Sequence, residues 1–175
     1  VNFSVSLKLS SGYKSDTGLM RERNEDSLWV LEATRSNNSV NLSYGLYVVA
    51  DGMGGYEKGE AASGEVIDVV SKAALQYLFP EMMKKGDFDV SGWLVSTVKD
   101  ANNAVLELKN RAGSEMGSTL VAAVLMGNTA FITNIGDSRL YLLTQNEIVQ
   151  LTVDHSLVER MIATNQLTRE EARTH

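Results

Sequence analysis

Cysteine is absent from the 175 residues, so a disulfide framework, a thiolate nucleophile and a thiolate metal site are all excluded. Blocks of Lys and Arg are missing too: 16 basic residues face 22 acidic ones, for a net charge of −6. A chain of that sign repels a phosphate backbone, so nucleic acid is not an expected partner. The longest wholly apolar run, Leu120–Met126, is far short of the roughly 20 residues that a membrane span needs, and no secretory signal is visible. These absences predict a soluble cytoplasmic protein with no membrane partner. The first residue is Val1 rather than Met, which suggests a trimmed start. What remains is an ordinary globular balance, 43% hydrophobic and 22% charged, enough for one core and one domain over residues 1–175.

That domain is organised around Gly45–Gly55. Leu46–Ala50 is a short apolar run rich in Tyr and Val, which reads as a strand buried on both faces. It delivers Asp51 into a segment with glycine at 52, 54 and 55. A carboxylate at the end of a buried strand is costly unless it is paired or ligated. Glycines let the backbone approach whatever the carboxylate holds. A hard divalent cation satisfies both conditions, whereas Asp-Gly alone is more often an ordinary turn.

Upstream, Val1 to Ser10 alternates apolar and polar residues, the pattern of a half-exposed strand. Arg21-Glu22-Arg23-Asn24-Glu25-Asp26 is a dense charge cluster before apolar Leu28–Leu31, and Ser36–Ser39 is a polar connection. Downstream, Ala62, Val66, Val69, Val70, Ala73 and Tyr77 recur at helical spacing, with Pro80 expected just past the helix end. Leu94, Val98, Ala101, Val105 and Leu108 mark a second amphipathic helix, with Ser91 as the expected N-cap. It is too short for a sustained coiled coil. Ser118–Met126, Ala130–Ile135, Leu140–Leu143 and Ile148–Leu151 read as an antiparallel meander. Leu157, Met161 and Ile162 suggest a short helix, and Thr168-Arg169-Glu170-Glu171 has the form of a capping box.

Three acidic sites therefore stand beside apolar strands: Glu25/Asp26, Asp51, and Asp137 within Gly136-Asp137-Ser138-Arg139. Carboxylates of this kind hold divalent ions and lower the pKa of a bridging water. Arg21 adds a fork suited to phosphate oxygens.

These motifs, taken in order, resemble the bacterial branch of the metal-dependent protein phosphatases, the PP2C or PPM family. The resemblance rests on Ser15-Asp16-Thr17-Gly18 with Arg21, Asn24-Glu25-Asp26, and Val49-Ala50-Asp51-Gly52-Met53-Gly54-Gly55. Gly117-Ser118-Thr119-Leu120, Gly136-Asp137-Ser138-Arg139 and Asp154-His155-Ser156 follow, and Glu170 to His175 resembles the flap segment. The resemblance implies an α+β fold, a four-layer α-β-β-α sandwich of two antiparallel sheets flanked by helices. It implies two Mn²⁺ or Mg²⁺ ions, with a third, weaker site. Asp51 bridges the metals, Gly52 offers its carbonyl, Asp26 joins the cluster, and Asp137 helps hold the third ion. Arg21 clamps the substrate phosphate, and a metal-bound hydroxide is the nucleophile. Phosphoserine and phosphothreonine proteins, including a Ser/Thr protein kinase and its substrates, are the implied partners. Met53 replaces the histidine that eukaryotic members carry and cannot donate a proton, while His155 is expected to be structural.

No aspartate follows Asp154, although the family has two late metal aspartates. The chain is therefore expected to stop inside the domain, after the flap, as a fragment or a reduced relative. Weak or single metal occupancy, poor turnover and an edge-mediated dimer are expected with it. Two other readings stay open: a catalytically incomplete regulatory or phosphoprotein-binding module, and a small-molecule or anti-sigma-antagonist phosphatase.

Overall fold

A computed structural model describes residues 8–19, 21–37, 40–54, 58–84, 87–168 and 170–171. It is an α+β fold with two antiparallel sheets and helices. The larger sheet is built from β1 (Asp26–Asn37), β2 (Val40–Gly54), β3 (Met116–Ser118), β4 (Leu120–Met126) and β5 (Thr129–Ile135). Its order is β1-β2-β4-β5, with β3 pairing the end of β2. β6 (Tyr141–Leu143) and β7 (Ile148–Gln150) form a separate hairpin. The strands are thus two hairpins rather than one continuous meander, because Gly136–Leu140 breaks the ladder between β5 and β6. Of the alternating segment at the start, residues 1–7 lie outside the described residues, and 8–10 are not in a strand.

β2 is the axis of the molecule. Tyr44, Leu46, Val48 and Ala50 are buried on the face that meets the helices, together with Leu120, Ala122 and Val124 of β4. Each fully buried Leu or Val contributes about 1.5–3 kcal/mol relative to exposure. The opposite face carries Tyr47 and Val49, and Val49 is 44% exposed. The strand is therefore fully buried on one face and only partly on the other, unlike the expectation from its continuous apolar run. β2 also runs on through Asp51 to Gly54 instead of turning after Ala50, because β1 and β3 pair with those residues on either side.

α1 (Lys58–Ala73) packs on β1 and β2 and against α3 (Val90–Ala112). Ala62, Val66 and Val70 form its buried stripe. The helical path does not end before Pro80. A π turn over Ala74–Leu78 leads into α2 (Phe79–Met82), with Pro80 in its first turn. The Phe79 N–H donates to the Ala74 carbonyl, and the wider turn shifts the stripe, so Leu78, Phe79 and Met82 are buried while Tyr77 is 61% exposed. In α3, Leu94, Ala101 and Val105 are buried as the spacing implies. Its N-cap is Asp89, whose carboxylate accepts the Gly92 N–H at 2.9 Å, rather than Ser91. Gly113, at φ +60°, closes that helix in the left-handed conformation.

α4 (Leu157–Ala163) starts at Ser156, whose hydroxyl accepts the Glu159 N–H at 3.1 Å. The capping box is present: the Thr168 hydroxyl accepts the Glu171 N–H at 3.2 Å, and the Glu171 carboxylate accepts the Thr168 N–H at 2.9 Å. Residues 172–175 lie outside the described set. Among the described residues, no helix is long and apolar enough to cross a membrane.

Candidate active site

The β1–β2 hairpin runs from Asn37 opposite Val40 to Asp26 opposite Asp51. Residues directly opposite in an antiparallel pair share a face, so two carboxylates meet at the hairpin's open end. The Asp51 carboxyl is pushed above its ordinary value, first by burial and then by the charge and hydrogen bonding of Asp26. The charge of Asp137 adds to the rise, and Arg21 opposes it. Asp26, Asp137 and Arg21 are therefore all within electrostatic reach of Asp51. An open, polar cleft of about 190 Å³ lies there, lined by Asp16, Arg21, Asn24, Glu25, Asp26 and Asp51. A larger hollow of about 550 Å³ beside α3 is mostly apolar and lacks converging carboxylates. Charge, not volume, marks the site.

The segment before β1 is tied down by short contacts. Asn24 donates to the Ser15 hydroxyl at 2.6 Å and accepts the Asp26 N–H at 3.0 Å. Asp16 accepts the Gly18 N–H at 3.0 Å and pairs with Lys14 at 3.2 Å. Arg21 forms an ion pair with Glu25, whose carboxylate is only 14% exposed. The Glu25 carbonyl accepts both the Gly52 N–H at 3.1 Å and the Ser63 hydroxyl at 2.7 Å, which ties the site to α1. Ser63 is fully buried, and nothing in the one-dimensional pattern of α1 points to it. Gly52 has a structural duty of its own. A Cβ there would lie 1.9 Å from the Gly59 carbonyl oxygen, so the absence of a side chain lets β2 pass under the first turn of α1.

Asp137 is exposed in the bend that follows β5. Its loop is clasped from behind. Arg139 holds Asp154 through three contacts of 2.6–3.1 Å, which keeps the Asp154 carboxyl below its ordinary value. The His155 N–H donates to the Gly136 carbonyl at 2.9 Å, and the His155 ring nitrogen Nδ1 accepts the Gly136 N–H at 3.4 Å. His155 is engaged with the loop backbone, as expected of a structural histidine. Thr119 joins this loop to β2: its hydroxyl accepts the Asp51 N–H at 3.0 Å and lies 2.6 Å from the Ser138 hydroxyl.

Carboxylate and carbonyl oxygens are the donors that Mg²⁺ and Mn²⁺ prefer, and a crowded, partly desolvated carboxylate pair favours a cation. In donor chemistry, Asp26, Asp51, Asp137 and the Gly52 carbonyl fit such an ion. Among the described residues, however, no three Asp, Glu or His side chains converge closely enough to hold one ion. Asp26 and Asp51 form the core of the candidate site, and the charge of Asp137 reaches Asp51 from a neighbouring loop.

The Protein phosphatase 2C family model matches residues 14–160. The serine/threonine phosphatase stp of Listeria monocytogenes serotype 4b (strain F2365) is 33% identical over 169 residues, covering 93% of this chain and 61% of that protein. The crystal structure of the serine/threonine phosphatase Stp1 from Staphylococcus aureus superposes with a TM-score of 0.75 at 30% identity, covering 100% of this chain and 65% of that one. The catalytic domain of the serine/threonine protein phosphatase PstP, in complex with 2 manganese ions, gives 0.69 at 32% identity over 91% of this chain and 61% of that one. The chain belongs to the protein phosphatase 2C family. It spans about three fifths of the length of the Listeria relative.

Proposed function

We propose that this chain carries the site of a metal-dependent protein serine/threonine phosphatase, which releases phosphate from phosphoserine and phosphothreonine in cytoplasmic proteins. The observation that carries this reading is the pairing of Asp26 with Asp51 at the end of the hairpin, beside Arg21 and within electrostatic reach of Asp137. Asp26, Asp51, Asp137 and the Gly52 carbonyl are the groups that would hold Mn²⁺ or Mg²⁺. When bound, the ions supply charge neutralisation and an acidified water as the attacking group. Arg21 binds the phosphate oxygens, exchanging its Glu25 partner for the substrate. Met53 is 67% exposed but offers no proton, so the leaving alkoxide takes its proton from water or another group. The substrates are proteins phosphorylated by a Ser/Thr kinase, and the kinase itself is one of them.

A second reading, a phosphoprotein-binding module with little turnover, is favoured by one observation: among the described residues, no three acidic side chains converge closely enough to hold one ion. The experiment is phosphate release from a phosphothreonine peptide with Mn²⁺ or with EDTA. Release that requires Mn²⁺ and falls by about a thousandfold in Asp51→Asn is the expected result. Arg21→Ala is expected to lower kcat/KM by about a hundredfold. Peptide binding without Mn²⁺-dependent release selects the binding module. Turnover that is the same in Asp51→Asn overturns the site.

A further inference from the structure

We propose that Thr119 is a positioning residue, setting the backbone of Asp51 and its spacing from Asp137 for cation binding; this rests on the phosphatase reading above and refines its metal site. Thr119 stands alone between β3, which ends at Ser118, and β4, which begins at Leu120. β4 pairs with Tyr44–Val49 of β2, and β3 pairs with Gly52–Gly54. Asp51 faces the gap between them. Thr119 fills that gap from both ends of one residue. Its N–H donates to the Asp51 carbonyl at 2.8 Å, and its side-chain oxygen accepts the Asp51 N–H at 3.0 Å.

The same hydroxyl reaches the second arm of the site. It lies 2.6 Å from the Ser138 hydroxyl, one residue past Asp137. On the other side of Asp137, Gly136 has φ +96°, and a Cβ there would lie 2.7 Å from the Thr119 methyl carbon. The loop that carries Asp137 is thus moulded to Thr119 at both neighbours of the carboxylate. A hydroxyl has one proton and two lone pairs. Accepting from Asp51 leaves it able to share one further hydrogen bond with Ser138. One side chain thereby ties together two candidate ligands that are far apart in sequence.

Contacts of this kind behind a ligand are worth about 10- to 100-fold in metal affinity. Valine keeps the shape and the methyl of Thr119 but leaves the Asp51 N–H and the Ser138 hydroxyl without this partner. Serine keeps the hydroxyl and loses the methyl.

The test is Mn²⁺ titration of the chain by calorimetry, alongside melting of each metal-free variant in EDTA. Thr119→Val is expected to raise the Mn²⁺ Kd about tenfold or more, with the metal-free melt close to wild type. Thr119→Ser is expected to bind as wild type does, and Ser138→Ala to show a smaller loss of the same sign. The smaller change in Ser138→Ala keeps the test informative if Thr119→Val folds poorly. Binding by Thr119→Val within twofold of wild type overturns the positioning role alone. Equal losses in Thr119→Ser and Thr119→Val overturn it too, since the methyl against Gly136 is then the working part. A wild-type chain that takes up no Mn²⁺ removes both this role and the metal site beneath it.

Discussion

Asp51 and Gly52 are neighbours in sequence with opposite relations to their surroundings. The Asp51 carboxyl faces other carboxylates across the open end of a hairpin, so its raised pKa reflects charge crowding as well as burial. Gly52 faces the backbone of α1, with no room for even a methyl group. A strand that ends in Asp-Gly thus serves two masters, one chemical and one steric. Gly52→Ala is expected to force β2 and α1 apart, at a cost of about 3 kcal/mol or more, since the clash is with backbone rather than a flexible side chain. The urea midpoint measures it, and an unchanged midpoint would show that the contact relaxes freely. Residues such as Ser63 and Thr119 act at longer range. Their partners lie 38 and 68 positions away in sequence, so no local pattern announces these contacts, although Thr119 itself stands in the Gly117-Ser118-Thr119-Leu120 motif.

At the scale of elements, hydrophobic period and local capping compete, and the two were not equally legible. The stripe of α3 was readable because its buried residues, Val90 to Val105, repeat over about four turns. Its start was not, because Asp89 and Ser91 are both good caps and only geometry decides between them. Asp89→Ala is expected to cost about 1 kcal/mol and Ser91→Ala a few tenths. Thermal melts of the two variants separate these cases, and the reverse order would move the cap. Pro80 misled for a different reason: a π turn before it accommodates a residue that would otherwise end the helix, so the stripe runs past the proline. The acidic motifs were legible because Asp26 and Asp51 need only a hairpin to meet. The separation of β6–β7 from the main sheet was not, since glycine and serine punctuation marks breaks without saying which strands pair across them.

The clasp between Arg139 and Asp154 brings in pH. Because Arg139 holds the Asp154 carboxyl below its ordinary value of 3.8, the folded state binds fewer protons there than the unfolded chain does. The resulting stability is present above that ordinary value and is lost as pH falls through the depressed one. Asp154→Asn is therefore expected to be less stable than wild type at pH about 7, with the gap closing below pH about 4. Urea midpoints across that range test it, and a gap that stays constant would place the effect elsewhere.

For the molecule as a whole, β1 and β5 are the outer strands of the main sheet among the described residues. The face turned away from α1 and α3 exposes Val49 at 44%, and the β6–β7 hairpin exposes Leu143 at 72% and Ile148 at 69%. Edges that no described strand covers, beside apolar surface, favour association. The chain is expected to form dimers as concentration rises, and Ile148→Lys on the β7 edge to reduce them, as read by analytical ultracentrifugation. A monomer at all concentrations would exclude edge-mediated pairing.

The placement of the acidic pair at the last rung of the β1–β2 hairpin also bears on how the molecule assembles. A hairpin joined by two residues zips from the end nearest its connection, here Asn37 with Val40, and closes last at Asp26 with Asp51. Like charges at that last rung oppose closure, while the Gly52 N–H bond to the Glu25 carbonyl and the two Thr119 bonds to Asp51 hold it shut. On the proposed metal reading, a divalent ion arriving there would relieve that repulsion and make the rung a buckle. The cofactor would then also be a fastener, and a chain that has found its metal would be mechanically distinct from one still waiting for it.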